Sequence, residues 1–315
     1  MVQKLSAESS RGQGPASLDQ VIRKDPLFFE AIPPSKRASP AHLEDTLAQL
    51  EETLSSLHNL SAVNIPEIVD ENHLGMPLYR THEPCSFADL LRKRANVEVV
   101  VNKVVVHLRS RGDFLNWARG SLKTHDVHNF VVVGGVSHVR QYPGPNVVEA
   151  CGILSHLFRT MNLDEGLIGC VTIPSRKDEA ERLLAKTLAG ARFATTQILF
   201  GANGTKDFLL NYGELCERYD VKPATIFLSF APLQDAHDIE LARWLGAEVP
   251  ENLETKILSA GGEGANLSIG LAADTCKEIK DFAQKRRLNV PIGVNVEQIS
   301  HHNLQAAARM ARRLS

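Results

Sequence analysis

A glutamate stands in an otherwise apolar segment near the start of the chain, and its surroundings suggest acid chemistry. Residues 28–34 read Phe-Phe-Glu-Ala-Ile-Pro-Pro, with the carboxyl group at Glu30. A carboxyl group held in apolar surroundings has a raised pKa and can act as a general acid near neutral pH, for example by protonating a nitrogen. The alternative is a structural Glu paired with a Lys or Arg of the core. The residues alone leave both interpretations open.

Three further segments place polar groups where a ligand could reach them. His107 is followed by two arginines within four residues, which suits an anionic ligand, although His107 equally suits a structural hydrogen bond. Gly134 and Gly135 end an apolar run and permit either close approach of a ligand or a tight turn. Gln197 is the single amide of an apolar run, and it would bind the edge of a heterocycle or a backbone carbonyl.

Metal and nucleotide fingerprints are absent from the sequence. The adjacent His301 and His302 diverge and have no carboxylate at helical spacing, so we expect no metal site there. The paired glycines do not belong to a GxGxxG motif, and no GxxxxGK[ST] motif occurs. The five cysteines are scattered without a CxxC pair, which predicts reduced thiols rather than zinc ligands or disulfides.

Eight apolar, β-branched runs alternate with segments of helical periodicity, the pattern typical of parallel strands joined by helices. We predict strands at Phe28–Ile32, Ala62–Ile68, Glu98–Leu108, Phe130–Val136, Leu167–Ile173, Phe193–Phe200, Ala224–Phe230 and Pro291–Val296. Two additional helices are predicted between the seventh and eighth strands. This order favours a single-domain (β/α)8 TIM barrel over residues 25–315, a fold of ~250 residues before insertions.

Composition excludes several classes of protein. Lys plus Arg number 35 and Asp plus Glu 37, so the chain is nearly neutral and its short basic runs do not predict a nucleic-acid partner. No apolar stretch is long enough to span a membrane. Residues 1–24 are polar and lack the apolar core of a secretory signal, so we expect a flexible tail. These features together indicate a cytoplasmic protein.

Two segments resemble the methylenetetrahydrofolate reductase family. The first is the Glu30 strand with its Pro-Pro exit. The second is residues 189–200, Ala-Gly-Ala-Arg-Phe-Ala-Thr-Thr-Gln-Ile-Leu-Phe. The resemblance spans about residues 28–303 and implies a flavin-containing barrel. It further implies that Glu30 is the general acid that helps open the folate ring, that Gln197 contacts the pterin, and that Phe230 lies on the folate side.

The resemblance also implies a set of cofactor contacts, with one departure from the family pattern. Val136 stands where typical members carry an aspartate close to both flavin and folate, so the presence of FAD is the least secure part of the resemblance. The implied contacts to the flavin are His107, Gly134, Gly135, Val136, Tyr142 and Lys186.

The expected activity is NAD(P)H-dependent reduction of 5,10-methylenetetrahydrofolate to 5-methyltetrahydrofolate, through FAD, with Glu30 as the acid. The alternative, supported by Val136, is a folate-binding methyltransferase or accessory subunit that performs no hydride transfer. A barrel enzyme acting on an unrelated carboxylate is a third interpretation, because a fold does not determine a function. A homo-oligomer and an electron-delivering partner are both compatible with the sequence.

Overall fold

Eight parallel strands close into a barrel in the computed structural model, which describes residues 18, 22, 25–135, 140–163 and 165–315. The strand order around the barrel is β1-β10-β9-β8-β7-β6-β5-β2, and β2 pairs with β1 to complete the ring. The strands are β1 (Leu27–Glu30), β2 (Leu60–Ile65), β3 (Val69–Glu71), β4 (Pro77–Tyr79), β5 (Val99–Val104), β6 (Asn129–Val133), β7 (Leu167–Thr172), β8 (Phe193–Thr196), β9 (Thr225–Phe230) and β10 (Ile292–Val296).

Helices follow the barrel strands and cover their outer surface. They are α1 (Pro40–Ser55), α2 (Pro84–Ala95), α3 (Arg111–Thr124), α4 (Val147–Met161), α5 (Glu179–Leu188), α6 (Asn203–Arg218), α7 (Ala236–Trp244), α8 (Glu251–Ser259), α9 (Gly264–Arg286) and α10 (Leu304–Leu314). Both α8 and α9 lie between the last two strands, as predicted. The closed barrel confirms the fold class expected from the sequence.

Each barrel strand is apolar on both faces because one face packs inside the barrel and the other packs under the helices. The inner face carries a small cluster that includes Phe28, Phe193 and Phe227, whose rings contact one another inside the barrel. The residues beside them, such as Phe29 and Leu228, belong to the larger outer core. This alternation identifies which residue of each strand points inward.

Several predicted strands end earlier than their apolar runs suggest, and the difference is largest, four residues, for the third and the sixth. The third predicted strand ends at Val104, and the chain continues as one turn of 3-10 helix over Val105–His107. The sixth ends at Thr196, which leaves Gln197 in the loop that follows. Both corrections change the positions of residues expected at strand ends.

A short antiparallel hairpin, β3–β4, was not predicted and follows β2. Asn72 Oδ1 accepts hydrogen bonds from Leu74 N and Met76 N, both at 2.9 Å, and Gly75 adopts a φ of 77°. These contacts form a tight turn in a segment without strong strand periodicity, which is why the sequence pattern did not reveal it.

The expected flexible tail is wrong at the two residues of it that the structure describes. Leu18 and Ile22 are 5% and 0% exposed and pack with the interior cluster. Thr225 Oγ1 donates a hydrogen bond to Ile22 O at 3.1 Å. These two residues therefore fill part of the barrel core.

The cysteines and helices agree with the expectations from composition. All five cysteines are free and buried. Among the described residues, none of the helices combines the length and the apolar character needed to cross a membrane.

Candidate functional site

A ring of polar side chains lines the barrel interior at the carboxyl ends of its strands, above the phenylalanine cluster. Strand alternation places them on the same inner face as Phe28, Phe193 and Phe227. The two remaining strands, β6 and β7, contribute Val133 and Val171, which pack against the interior cluster. We call the polar ring the polar wall; it comprises Glu30, Asn64, Asn102, Thr195, Ser229, Asn295 and Glu297.

Glu30 lies within the polar wall at the end of β1 and is 9% exposed. Asn64 Nδ2 donates a hydrogen bond to Glu30 Oε2 at 3.1 Å. Burial raises the pKa of Glu30 well above its usual range, and the nearby Glu297 carboxylate raises it further, while the Asn64 hydrogen bond opposes them. Among the described residues, no Lys or Arg forms an ion pair with Glu30. The structural alternative, a glutamate paired with a basic residue of the core, is therefore not observed there. These surroundings favour the protonated form of the carboxyl group.

Glu297 follows β10, the strand beside β1 in the closed barrel. Its backbone N–H donates to Phe230 O at 2.8 Å, and its Oε1 accepts a hydrogen bond from Asn295 Nδ2 at 3.4 Å. Burial raises the pKa of Glu297 to about 7, against hydrogen bonds from Ser229 and Asn295 that lower it. Glu30 and Glu297 therefore form a carboxyl pair at the ends of adjacent strands, in which the charge of Glu297 disfavours ionisation of Glu30.

A cavity of about 470 Å³ opens beside the polar wall. Glu30 and Gln298 line its inner part, and Gln298 Oε1 accepts a hydrogen bond from Ile32 N at 3.2 Å. The rim includes Trp244 and His237, both exposed. This volume is within the range of small-molecule sites, and its combination of apolar walls with a few polar groups is typical of them.

The side of the barrel mouth where a flavin was expected is closed by the β3–β4 hairpin. Glu71 Oε1 lies 3.3 Å from His107 Nε2 and accepts a hydrogen bond from Tyr142 Oη at 2.9 Å. Arg140 approaches the other carboxylate oxygen at 2.6 Å. The His107 side chain is only 3% exposed. Glu71 therefore bonds to His107 and Tyr142, two of the predicted cofactor contacts, through their polar atoms.

The other predicted cofactor contacts are equally engaged within the protein. Lys186 Nζ donates to Val171 O at 2.8 Å and to Glu179 Oε1 at 3.3 Å, and the Lys186 side chain is 13% exposed. Gly135 is covered by the Tyr142 ring, and Val136 lies outside the described residues. The described side chains of this set, those of His107, Tyr142 and Lys186, all bond to protein groups and so do not fit the polar atoms of a flavin.

The covering of Gly135 makes a testable prediction about stability. A Cβ atom added at Gly135 would lie 2.4 Å from the Tyr142 ring, so Gly135→Ala must displace Tyr142 from Glu71. We expect a loss of ~1–3 kcal/mol in the free energy of unfolding, measured with urea. Gly134→Ala is the matched control, because its Cβ would meet Val147 at an ordinary 3.4 Å. Equal losses in the two variants would show that the Tyr142 contact has no special importance.

The two predicted folate contacts do not join Glu30. Gln197 Nε2 donates to Leu245 O at 3.0 Å, and its Oε1 accepts from Ile198 N at 2.9 Å. The sequence left open whether Gln197 binds the edge of a heterocycle or a backbone carbonyl. In the structure its amide nitrogen binds a backbone carbonyl. Phe230 faces the outer core and is 1% exposed, so its predicted ligand contact is wrong in this structure.

Sequence reasoning missed most of the polar wall. Asn64, Asn295 and Glu297 each occupy one polar position in an apolar strand or directly after it, but no single strand distinguishes them. The available signal was the spacing of Asn295 and Glu297, which places both on one face of the last strand. In the described part of the chain, no three His, Cys, Asp or Glu side chains gather as a potential metal site.

The fold and site together define a (β/α)8 barrel with a carboxyl pair and an acceptor-rich wall at the carboxyl ends of its strands, where barrels of this class carry their sites. No protein-family model and no curated protein matches the sequence. The chain is similar in structure to an uncharacterized protein from Clostridium thermocellum, described as binding two copies of 5-methyl-5,6,7,8-tetrahydrofolic acid. That likeness has a TM-score of 0.74 at 19% sequence identity, covering 93% of this chain and 97% of the other. At this identity the likeness shows a shared fold.

Proposed function

We propose that this chain binds a reduced folate of the 5-methyltetrahydrofolate class at the carboxyl end of its barrel, as a methyltransferase or accessory subunit without hydride transfer. The observation that carries the proposal is the buried Glu30 carboxyl group, which borders a cavity of about 470 Å³. The structurally similar protein from Clostridium thermocellum, described as binding 5-methyltetrahydrofolate, supports the same class of ligand.

The chemistry of the polar wall suits a reduced pterin. The pyrimidinone ring of a reduced pterin is flat and carries N–H donors along one edge, and the wall is rich in carboxyl and amide oxygens that accept hydrogen bonds. Val133 and Val171 provide an apolar surface on the opposite side of the barrel. A protonated Glu30 would donate a proton to the methylated ring nitrogen, which makes that nitrogen a better leaving group when a nucleophilic second substrate accepts the methyl group.

The engagement of three predicted flavin contacts within the protein favours this proposal over flavin-dependent reduction. His107, Tyr142 and Lys186 are each held by protein groups rather than presented to the barrel mouth. A second candidate is reduction of 5,10-methylenetetrahydrofolate by direct hydride transfer from NAD(P)H. The raised pKa of Glu30 favours that candidate as well, because opening the folate ring also requires a proton on nitrogen.

Binding of the folate is the first expected result. Isothermal titration calorimetry of the purified chain with 5-methyltetrahydrofolate should show saturable binding, and the absorbance spectrum of the same sample should show no flavin bands. p-Aminobenzoylglutamate, which keeps the tail of the folate but lacks the pterin, should bind far more weakly. A dissociation constant weaker than ~1 mM for the folate would refute the proposal. Formation of 5-methyltetrahydrofolate from NAD(P)H and methylenetetrahydrofolate would establish the second candidate instead.

A further inference from the structure

Three amide oxygens in the polar wall are buried without a hydrogen-bond partner, those of Asn64, Asn102 and Asn295, and the first and last of these lie beside the carboxyl pair. Asn64 and Asn295 are each 1% exposed, and the Oδ1 atom of each has no partner. Their nitrogen atoms are already engaged, because Asn64 Nδ2 donates to Glu30 and Asn295 Nδ2 donates to Ser229 Oγ at 3.0 Å. The atoms of these two side chains that have no partner are therefore both acceptors.

Buried acceptors without partners carry a cost that a ligand with N–H donors would remove. The two oxygens flank the carboxyl pair, since Asn64 contacts Glu30 and Asn295 contacts Glu297. Glu297 accepts hydrogen bonds from Asn295 Nδ2, at 3.4 Å, and from Ser229, and a carboxylate has further lone pairs that a ligand could use. A carboxylate and a pair of amide oxygens at one site select for a ligand edge that carries several N–H groups.

We infer that Glu297 is the residue that determines specificity for the pterin, by accepting hydrogen bonds from its 2-amino-pyrimidinone edge, with Asn64 and Asn295 accepting from neighbouring N–H groups. This inference rests on the proposed function. The 2-amino group and the adjacent ring N–H point in nearly the same direction, as the N–H groups of an arginine do. A carboxylate therefore pairs with that edge through two parallel hydrogen bonds.

The titration of Glu297 agrees with this role. Its pKa of about 7 in the free protein means that it is partly protonated near neutral pH. Pairing with N–H donors favours the ionised form, so ligand binding should release a proton at Glu297. Glu30, the other member of the pair, is then left as the carboxyl group that holds a proton.

The test compares two ligands on two proteins. 5-Methyltetrahydrofolate and its 2-desamino-2-methyl counterpart differ at the edge that Glu297 is inferred to contact. Wild-type protein should bind the natural folate about 10- to 100-fold more tightly than the analogue, as expected for a hydrogen bond to a charged group. Glu297→Gln should reduce that preference by weakening the folate more than the analogue, which keeps the ring N–H but lacks the 2-amino group. Glu52→Gln, on the exposed face of α1, is the matched control and should behave as wild type.

Each other outcome has a definite meaning. If Glu297→Gln binds both ligands as wild type does, Glu297 does not determine specificity for the pterin and the inference is wrong. If the variant loses affinity for both ligands equally, its role is structural and the inference is wrong. Retained binding of the analogue shows that the variant is folded. Failure of wild-type protein to bind 5-methyltetrahydrofolate at all is a separate result, which defeats the proposed function and this inference together.

Discussion

Replacing Lys103 by Met is expected to lower the free energy of unfolding by about 3–5 kcal/mol, the usual consequence of leaving one member of a buried ion pair without its partner. Lys103 Nζ lies 2.5 Å from Glu67 Oε1, and their side chains are 9% and 5% exposed. Glu67 also accepts a hydrogen bond from Val104 N at 2.8 Å. Burial raises the pKa of Glu67, against the lowering effect of Lys103, so the carboxylate depends on this neighbour.

The Lys103 ammonium group has two aromatic neighbours as well. It lies 5.4 Å from the centre of the Trp117 ring and 5.6 Å from that of Tyr79, so the substitution also removes two cation–π contacts. Tyr79 belongs to β4, and loss of Lys103 is expected to loosen the hairpin that holds Glu71 over the barrel mouth.

Urea unfolding of three variants would check this prediction. The double variant Glu67→Gln, Lys103→Met should recover much of the stability lost by Lys103→Met, because it buries no unpaired charge. Lys93→Met is the control, since Lys93 is 69% exposed in its pair with Asp89 and should cost less than ~1 kcal/mol. A small effect of Lys103→Met would mean that water reaches Glu67 and screens it.

The second large effect is a dependence of stability on pH that arises from the carboxyl pair. Glu297 has a pKa of about 7 in the folded protein, compared with 4.5 for an unperturbed glutamate. Between these values the folded state binds more protons than the unfolded state, so stability falls as pH rises. The difference corresponds to about 3 kcal/mol, present below pH 4.5 and lost by the time pH passes about 7.

The difference between wild type and Glu297→Gln isolates this effect from other titrating groups. Burial lowers the pKa of His107 and of His301, and such groups change stability in the opposite direction over part of the same range. We therefore expect Glu297→Gln to gain stability relative to wild type as pH rises from about 4.5 to above 7. A relative stability that does not vary with pH would show that Glu297 is fully hydrated.

The number and order of the barrel strands were predictable from the sequence, because each strand is an apolar run that packs on both faces. The closed barrel confirms all eight runs and the two extra helices. The burial of Glu30 was predictable for the same reason, since its neighbours on β1 leave no exposed face. Local composition was sufficient for these features.

The composition of the site was decided by tertiary structure. Closure of the barrel places β10 beside β1, and this brings the charge of Glu297, from the far end of the chain, close enough to raise the pKa of Glu30. The β3–β4 hairpin places Glu71 on His107, and the end of α7 takes the Gln197 amide. Each of these contacts joins residues distant in sequence and depends on a particular turn or strand register. Contacts of this kind leave no periodic pattern in the sequence. A buried strand does, because its apolar residues recur at regular positions along the chain.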